Sequence, residues 1–490
     1  MQYRYLALLV VFSGCVSNRG AVDPYAFAPT KPASTWKPIR KNSEPPALPE
    51  TTDPLTLAEI LDLALKNNPS TKLTWAKARV AAAQWGISQA ADFPELTASY
   101  TYQRSKSISS LSSAQSTGTQ VAVIGGGGGS SSSSSGGTGS QKFFYSQWGP
   151  QLQLTYTILD FGQTRATTEA ARQALFQADY LHNYSLQTVI QQVTTDYYNY
   201  LYQQELLVAN EADLETAKVT YAAAELGLDM GVRDMSDLLQ ARTQLLQAQI
   251  QLTGQRQNVT NAFASLLTDM GLEATHKLAI EKIPAVPPTD EMLQNADQLL
   301  VVALEKRADL LAAEAAVKSQ EATVAAATRQ FFPTLGYSLN FGETSYSKVG
   351  SDHYDFTSTL TLSFPIFSGF STINSLREAR AQKEVAKANL RQVELNVIEE
   401  ITTTHTTVKT TFESLKYSDE LLQVSQKEYE VALAKYKAGT GTILELVSAQ
   451  SSLVDARAQQ VLSTSQWFTS LIQLSYAAGT LEPPEGKEYN

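Results

Sequence analysis

Between Gln163 and Leu226, and again between Phe370 and Ala438, the chain contains neither glycine nor proline. Each stretch reads as one uninterrupted helix, and at about 1.5 Å per residue each would be roughly 100 Å long. A single globular core cannot enclose a helix of that length. Both must lie against other helices in a bundle or coiled-coil array. Each ends at a glycine turn, Gly231 or Gly439, where glycine accepts φ > 0 without a steric penalty. The chain then returns in a shorter helical pattern, about 236–269 and 443–477.

The two long helices belong to a chain written twice. "DLALKNNPSTK" (62–72) aligns with "VVALEKRADLL" (301–311), and Phe93–Leu96 (FPEL) with Phe332–Leu335 (FPTL), at one offset. "YTILDFG" (156–162) aligns with "FPIFSGF" (364–370), and "MGVRDMSDLLQA" (230–241) with "AGTGTILELVSA" (438–449), at a shorter one. A Gly/Ser insertion carried by the first copy alone, roughly 109–140, accounts for the change. The period is too long for a solenoid. It defines a duplicated helix–strand–strand–helix unit, 55–275 and 276–481, flanked by a tail at 15–54 and another at 482–490.

Each copy opens with helical patterns, to about Asp92 in the first and over about 296–330 in the second, and then changes to period two after Phe-Pro. Leu96, Ala98, Tyr100 and Tyr102 alternate with polar residues, as do Leu152, Leu154, Tyr156 and Ile158. Leu335, Tyr337, Leu339 and Phe341 do the same, and so do Tyr354, Phe356, Leu360, Leu362, Phe364 and Ile366. The expected strands are about 95–104, 143–158, 335–342 and 354–366, with the Gly/Ser loop at 105–142. Segments of about ten alternating residues suit a transmembrane barrel strand, and equally a soluble two-faced sheet. Four strands cannot close a barrel, because about eight is the smallest closed form and open edges are not tolerated in lipid. If they span a membrane, several copies share one barrel. No run of about eighteen apolar residues exists to make an inner-membrane helix.

Residues 1–14 read as an export signal: Arg4, an apolar run from Leu6 to Phe12, then small residues. Cys15 follows, the only cysteine, so no disulfide within one chain is possible. The Pro-, Ser-, Thr- and Lys-rich stretch after it reads as an extended tether. A net charge of −10 without a basic stripe argues against nucleic acid. His182, His276, His353 and His405 are scattered, and no HExxH, GxSxG or Walker sequence occurs. The expectation is a protein without catalytic residues, cofactor or metal. "VAVIGGGGGS" (121–130) lacks the spacing of a dinucleotide fingerprint and reads as low complexity. Tyr197, Tyr198, Tyr200 and Tyr202 read as inter-helix packing, and the Thr-rich 402–411 as a locally weakened helix.

The "ALKNNP" and "ALEKRAD" openings, the FPEL and FPTL turns, the "ILDFGQ" and "PIFSGFS" strand exits and the two glycine turns resemble the TolC family of outer-membrane efflux proteins. The closest likeness in style is to the lipid-anchored outer components of resistance-nodulation-division pumps. The resemblance runs from about Leu55 to Leu481. It implies a mainly α fold with four transmembrane strands per protomer. A homotrimer would form a twelve-stranded β-barrel continued by a long periplasmic α-helical barrel. It implies a passive exit duct in the outer membrane of a Gram-negative bacterium, with a periplasmic membrane-fusion adaptor and an inner-membrane pump as partners. The small residues before Cys15 resemble a bacterial lipobox, which implies that Cys15 is the lipidated residue, contacting outer-membrane lipid; a coincidental cysteine near an ordinary cleavage site is the alternative. Gly231, Val232, Arg233, Gly439, Thr440 and Gly441 form the adaptor-docking tip, and Asp237 and Glu445, each six residues past its glycine, are the candidate gate acids. Arg233 is a candidate closing contact, whereas Gly441 stands where family members often carry arginine. A type I protein-secretion duct remains an alternative, as does a lipid-tethered periplasmic coiled-coil scaffold that conducts nothing.

Overall fold

The computed structural model describes residues 54–110, 140–281, 296–347 and 353–481. Cys15, the tether and the C-terminal tail lie outside them. The elements run α1 (Leu57–Asn67), α2 (Pro69–Gln89), β1 (Glu95–Ser110), β2 (Ser140–Leu159), α3 (Gln163–Asp229) and α4 (Met235–Asp269). They continue as α5 (Ala296–Lys306), α6 (Ala308–Arg329), β3 (Thr334–Tyr346), β4 (His353–Ser363), α7 (Ser371–Lys437) and α8 (Ile443–Ala477). α3 and α7 are each 67 residues long, and α4 and α8 are each 35. Among the described residues no helix is long and apolar enough to cross a membrane.

Local chemistry sets the boundaries. Thr56 and Glu59 close a capping box on α1, with the Thr56 N–H donating to Glu59 Oε2 at 2.9 Å. Asn68 then breaks the helix and caps α2 through the Ser70 N–H at 2.8 Å, and Pro69 takes the first helical position, where its missing N–H costs nothing. α3 starts beneath Asp160, whose carboxylate accepts from the N–H groups of Gly162 and Thr164. The Thr-rich part of α7 stays helical. Hydroxyls of Thr402, Thr406 and Thr410 donate back to carbonyls four residues earlier, while Val397, Ile401 and Val408 are buried. Packing of that apolar stripe outweighs the weak propensity of the threonines.

The strands form one antiparallel sheet in the order β1-β2-β3-β4. β1 and β2 are longer than the sequence pattern implies and run into the Gly/Ser segment, pairing as far as Ser110 with Ser140. Serine alternates there with Lys106 and Ile108, and backbone pairing continues across an already formed hairpin even where the apolar signal fades. β4 is shorter than expected. It ends at Ser363, so Phe364 and Ile366 lie beyond it, because Pro365 has no N–H to continue a ladder. All of β4 is exposed, as is β1 from Glu95 to Arg104. Among the described residues the sheet thus ends in two unpaired edges.

Matching positions of the two halves make matching contacts. Asn68 Nδ2 donates to the carbonyl of Asp269, the last residue of α4, at 2.7 Å. Arg307, which interrupts the helical run expected over 296–330, donates through Nη1 to the carbonyl of Ala477, the last residue of α8, at 3.1 Å. Gly271 packs against Asn67 and Asn68, and Gly479 against Arg307. Two cores sit at this level. One is built around Ile60, Val193, Tyr197, Leu266 and Met270, the other around Val397, Ile401, Val408 and Trp467. The tyrosine cluster serves this packing: Tyr197 is buried, Tyr198 stacks on Phe468 at 5.1 Å, and Tyr200 meets Phe263 at 5.3 Å.

An acid pair occurs in the first half alone. Asp196 on α3 faces Asp269, and Ser265 Oγ donates to Asp196 Oδ2 at 3.1 Å. Burial, and then the hydrogen-bonded and like-charged Asp269, push Asp196 from 3.8 up to about 6. The folded chain therefore binds this proton more tightly than the unfolded chain. The resulting stabilisation is complete below about pH 4 and is lost as pH rises through about 6. Asp196→Asn is expected to flatten the pH dependence of the denaturation midpoint across that window, and an unchanged slope would refute the pairing.

Candidate functional site

The glycine turns of the two halves meet at one end of the helical region, held by a shared cluster of Ala224, Ala241, Tyr429, Tyr436, Ile443 and Leu446. Both turns have the same hydrogen-bond pattern. The Gly231 and Val232 N–H groups donate to the carbonyls of Leu228 and Gly227, and those of Gly439 and Thr440 to Tyr436 and Lys435, at 2.9–3.1 Å. Each is a Schellman closure with a left-handed glycine, φ 69° at Gly231 and 78° at Gly439. Gly231, Val232, Gly439 and Thr440 are exposed, whereas Gly441 is buried.

Lys435 and Tyr436 crowd Gly441, and Arg233 reaches its carbonyl. Arg233 Nη2 donates to the carbonyls of Gly441 at 2.8 Å and Tyr436 at 2.9 Å, and its guanidinium lies over the Tyr436 ring at 4.3 Å. Arg233 thus ties one half's turn to the other's through a ring and two carbonyls, and through neither acid. Gly227 makes room for it, since a Cβ there would stand 2.6 Å from Arg233 Cγ. The second half inverts the pair. Lys435 occupies the position of Gly227, Gly441 occupies that of Arg233, and a Cβ on Gly441 would meet Lys435 Cβ at 3.1 Å. One bulky and one absent side chain at each turn is the arrangement both halves use.

The two candidate acids sit at the same helical position in different surroundings. Glu445 is engaged locally: it accepts from the Thr442 N–H at 3.2 Å while its own N–H donates to Thr442 Oγ1 at 3.2 Å, a capping box on α8. Asp237 has no such role, because Asp234 makes no side-chain cap on α4. Its Oδ2 accepts instead from the Tyr436 hydroxyl of α7 at 3.2 Å. Burial, then the Asp237 charge and that hydrogen bond, raise the Tyr436 phenol to about 12, with Arg233 pulling the other way. Tyr436 therefore remains a neutral donor at any physiological pH.

Tyr436, Gly227 and Lys435 are absent from the sequence-derived set. The signal available was positional: Tyr436 stands three residues before Gly439, and the Gly/bulky exchange falls at equivalent places. Among the described residues no cluster of three or more His, Cys, Asp or Glu could hold a metal ion.

Long paired helices reversing at glycine turns beneath a small open-edged antiparallel sheet define the outer-membrane efflux channel architecture. The chain belongs to the outer membrane efflux protein family, which it matches over residues 60–272 and 299–480. It is 26% identical to Protein CyaE of Bordetella pertussis over 96% of this chain and 93% of that protein. To the toluene efflux pump outer membrane protein TtgC of Pseudomonas putida it is 24% identical, over 68% of this chain and 69% of that protein. The fold is shared with the CmeC outer membrane channel of Campylobacter jejuni, with a TM-score of 0.71 at 21% identity over 90% of this chain and 92% of that one.

Proposed function

We infer that the protein is the outer-membrane exit duct of a tripartite efflux system, a passive homotrimeric channel anchored through a lipid on Cys15. The observation that carries this is the sheet: four strands with two edges unpaired among the described residues and exposed apolar side chains, joined to helices of 67 residues. Such a sheet is stable in lipid only if neighbouring copies pair β4 of one with β1 of the next. Three copies give twelve strands, an even number. On this reading each copy contributes two hairpins to the barrel and two helical pairs to the periplasmic duct. The glycine turns at its far end receive a periplasmic membrane-fusion adaptor, which links the duct to an inner-membrane pump supplying the energy. The substrate is a small molecule chosen by that pump, as in the relative named for toluene efflux.

At the narrow end the acids of three copies form carboxylate rings, and rings of this kind favour cations. The single-chain contacts divide the labour. Glu445 mainly caps α8, while Asp237 is held by Tyr436 under Arg233. The test is planar-bilayer conductance of the purified oligomer. Wild type is expected to give small, steady single-channel currents and Asp237→Ala/Glu445→Ala larger ones, with Asp237→Ala alone producing most of the increase. Currents indifferent to these substitutions would keep the duct and remove the gate. No conductance from a verified trimer would favour the tethered scaffold instead.

A further inference from the structure

Where the sheet meets the helices there is a small cleft between the first turn of α3 and the last turns of α6. Arg165 and Arg329 flank it with Glu169, and Ala166, Ala322 and Ala325 form its floor. Glu169 is already engaged, by Arg172 Nη1 at 3.3 Å and by Gln173 Nε2 at 2.7 Å. Arg329 is fixed in place by donating through Nη1 to the Gly162 carbonyl at 2.8 Å, but that bond leaves its charge uncompensated. Arg165 is exposed and has neither a hydrogen bond nor an ion pair among the described residues. Two guanidinium groups thus border one cleft, and neither forms an ion pair among the described residues, the one carboxylate in the lining, Glu169, being paired with Arg172. The alanine floor leaves space between them.

The surroundings indicate what the cleft would hold. Phe161 and Phe332 stack at 5.6 Å directly beside it, and both are about half exposed. Phe161 keeps that place at φ 53°, a left-handed conformation unfavourable for any residue with a Cβ. β2 and β3, the strands that connect to α3 and α6, are the two middle strands of the sheet. A neighbouring copy pairing at the β1 or β4 edge does not have to cover the cleft. Apolar rings at the end of a membrane strand, followed within one helical turn by paired arginines, match the order of acyl boundary and phosphate in a lipid leaflet. Guanidinium also matches the geometry of phosphate oxygens, which it can bind in bidentate fashion.

We propose that Arg165 and Arg329 form a binding site for the phosphate of an anionic phospholipid of the periplasmic leaflet, with Phe161 and Phe332 entering the acyl boundary beside it. The site rests on the reading of the sheet as a membrane barrel. It would fix the depth and rotation of the duct beneath the bilayer, at a place independent of the lipid on Cys15.

The purified full-length oligomer in neutral detergent would be titrated with phosphatidylglycerol and, separately, with phosphatidylcholine, and bound lipid counted by native mass spectrometry. Saturable phosphatidylglycerol binding is expected, weakened about five-fold by Arg165→Gln and again about five-fold by adding Arg329→Gln. Arg165→Gln tests the site with little cost to the fold, since that exposed guanidinium makes no hydrogen bond or ion pair among the described residues. Arg172→Gln, which removes an arginine already paired with Glu169, should weaken binding less than Arg165→Gln does. Equal affinity for the two lipids, or phosphatidylglycerol binding unchanged in both variants, would overturn the proposal. Inorganic phosphate binding as tightly as the lipid would also overturn it, by making the cleft a site for free anions. A separate flotation of the Cys15→Ala protein with vesicles isolates the barrel reading: if that protein fails to float, the barrel reading itself has failed.

Discussion

Gly149→Val is expected to abolish assembly of the sheet, while Gly336→Val in the neighbouring strand should be tolerated. A Cβ at Gly149 would stand 1.7 Å from the carbonyl oxygen of Glu343 and 2.8 Å from its carbonyl carbon, both backbone atoms of β3. No rotamer change relieves a clash with backbone, so β2 and β3 would have to separate there. The site is already a weak point of the pairing, one of two, the other being the register shift between Thr157 and Leu159. Partners run from Gln147 with Tyr346 to Trp148 with Ser345 and resume only at Gln151 with Gly342. Pro150 offers no N–H, and Gly149 lets the two strands close up across the gap. Overpacking in a fixed interior costs about 1–3 kcal/mol, and lost ladder hydrogen bonds add about 1 kcal/mol each. A Cβ at Gly336, by contrast, meets nothing within 4 Å. The measurement is the fraction of protein recovered as folded oligomer, read by heat-dependent mobility in gel electrophoresis. Recovery of Gly149→Val at the wild-type level would show that the close approach at Glu343 is not needed.

The long-range plan was legible in the sequence because period and glycine carry it. The bounds of α3 and α7 fall within a few residues of the Gly- and Pro-free stretches, and Gly231 and Gly439 mark the reversals. Alternation located all four strands but not all their ends. β1 and β2 continue through serines that carry no apolar signal, and β4 stops at a proline that the alternating pattern passes through. The tip was legible residue by residue but not as a network. Nothing local in the sequence places the Arg233 guanidinium on a carbonyl more than two hundred residues away, because that contact depends on how the two helical pairs dock. For the same reason Asp237 and Glu445, equivalent in sequence, differ in the structure. Thr442 offers Glu445 a capping partner, and Asp234 offers Asp237 none. The cleft of Arg165 and Arg329 was invisible for want of any motif: the two arginines come from different halves and meet because α3 packs against α6, as the Ser319 hydroxyl donating to the Ala170 carbonyl shows.

Arg307→Met is expected to destabilise the folded chain by about 3 kcal/mol. Arg307 is 6% exposed and stands at the break between α5 and α6. Its Nη2 pairs with Asp309 Oδ2 at 2.7 Å, its Nη1 with Glu400 Oε2 of α7 at 2.5 Å, and Nη1 also donates to the Ala477 carbonyl at the end of α8. One side chain therefore joins the helix break to both helices of the second pair. Removing it leaves two carboxylates without their partner and one buried carbonyl without a donor. Breaking a fully buried pair typically costs about 3–5 kcal/mol. The lower end applies here because about a third of the Glu400 side chain reaches solvent, where water can replace part of the lost interaction. Methionine keeps most of the volume, so a loss of stability reports the charge and its hydrogen bonds more than a cavity. The control is Asn68, which makes the corresponding single bond to the Asp269 carbonyl without any charge. Asn68→Ala should cost roughly 1–2 kcal/mol, covering that bond and the cap on α2. Denaturant midpoints of the two variants, compared at one protein concentration, decide the point. If Arg307→Met lowers the midpoint no more than Asn68→Ala does, the ion pairs add nothing beyond the neutral bond and the buried charge is not what holds this joint.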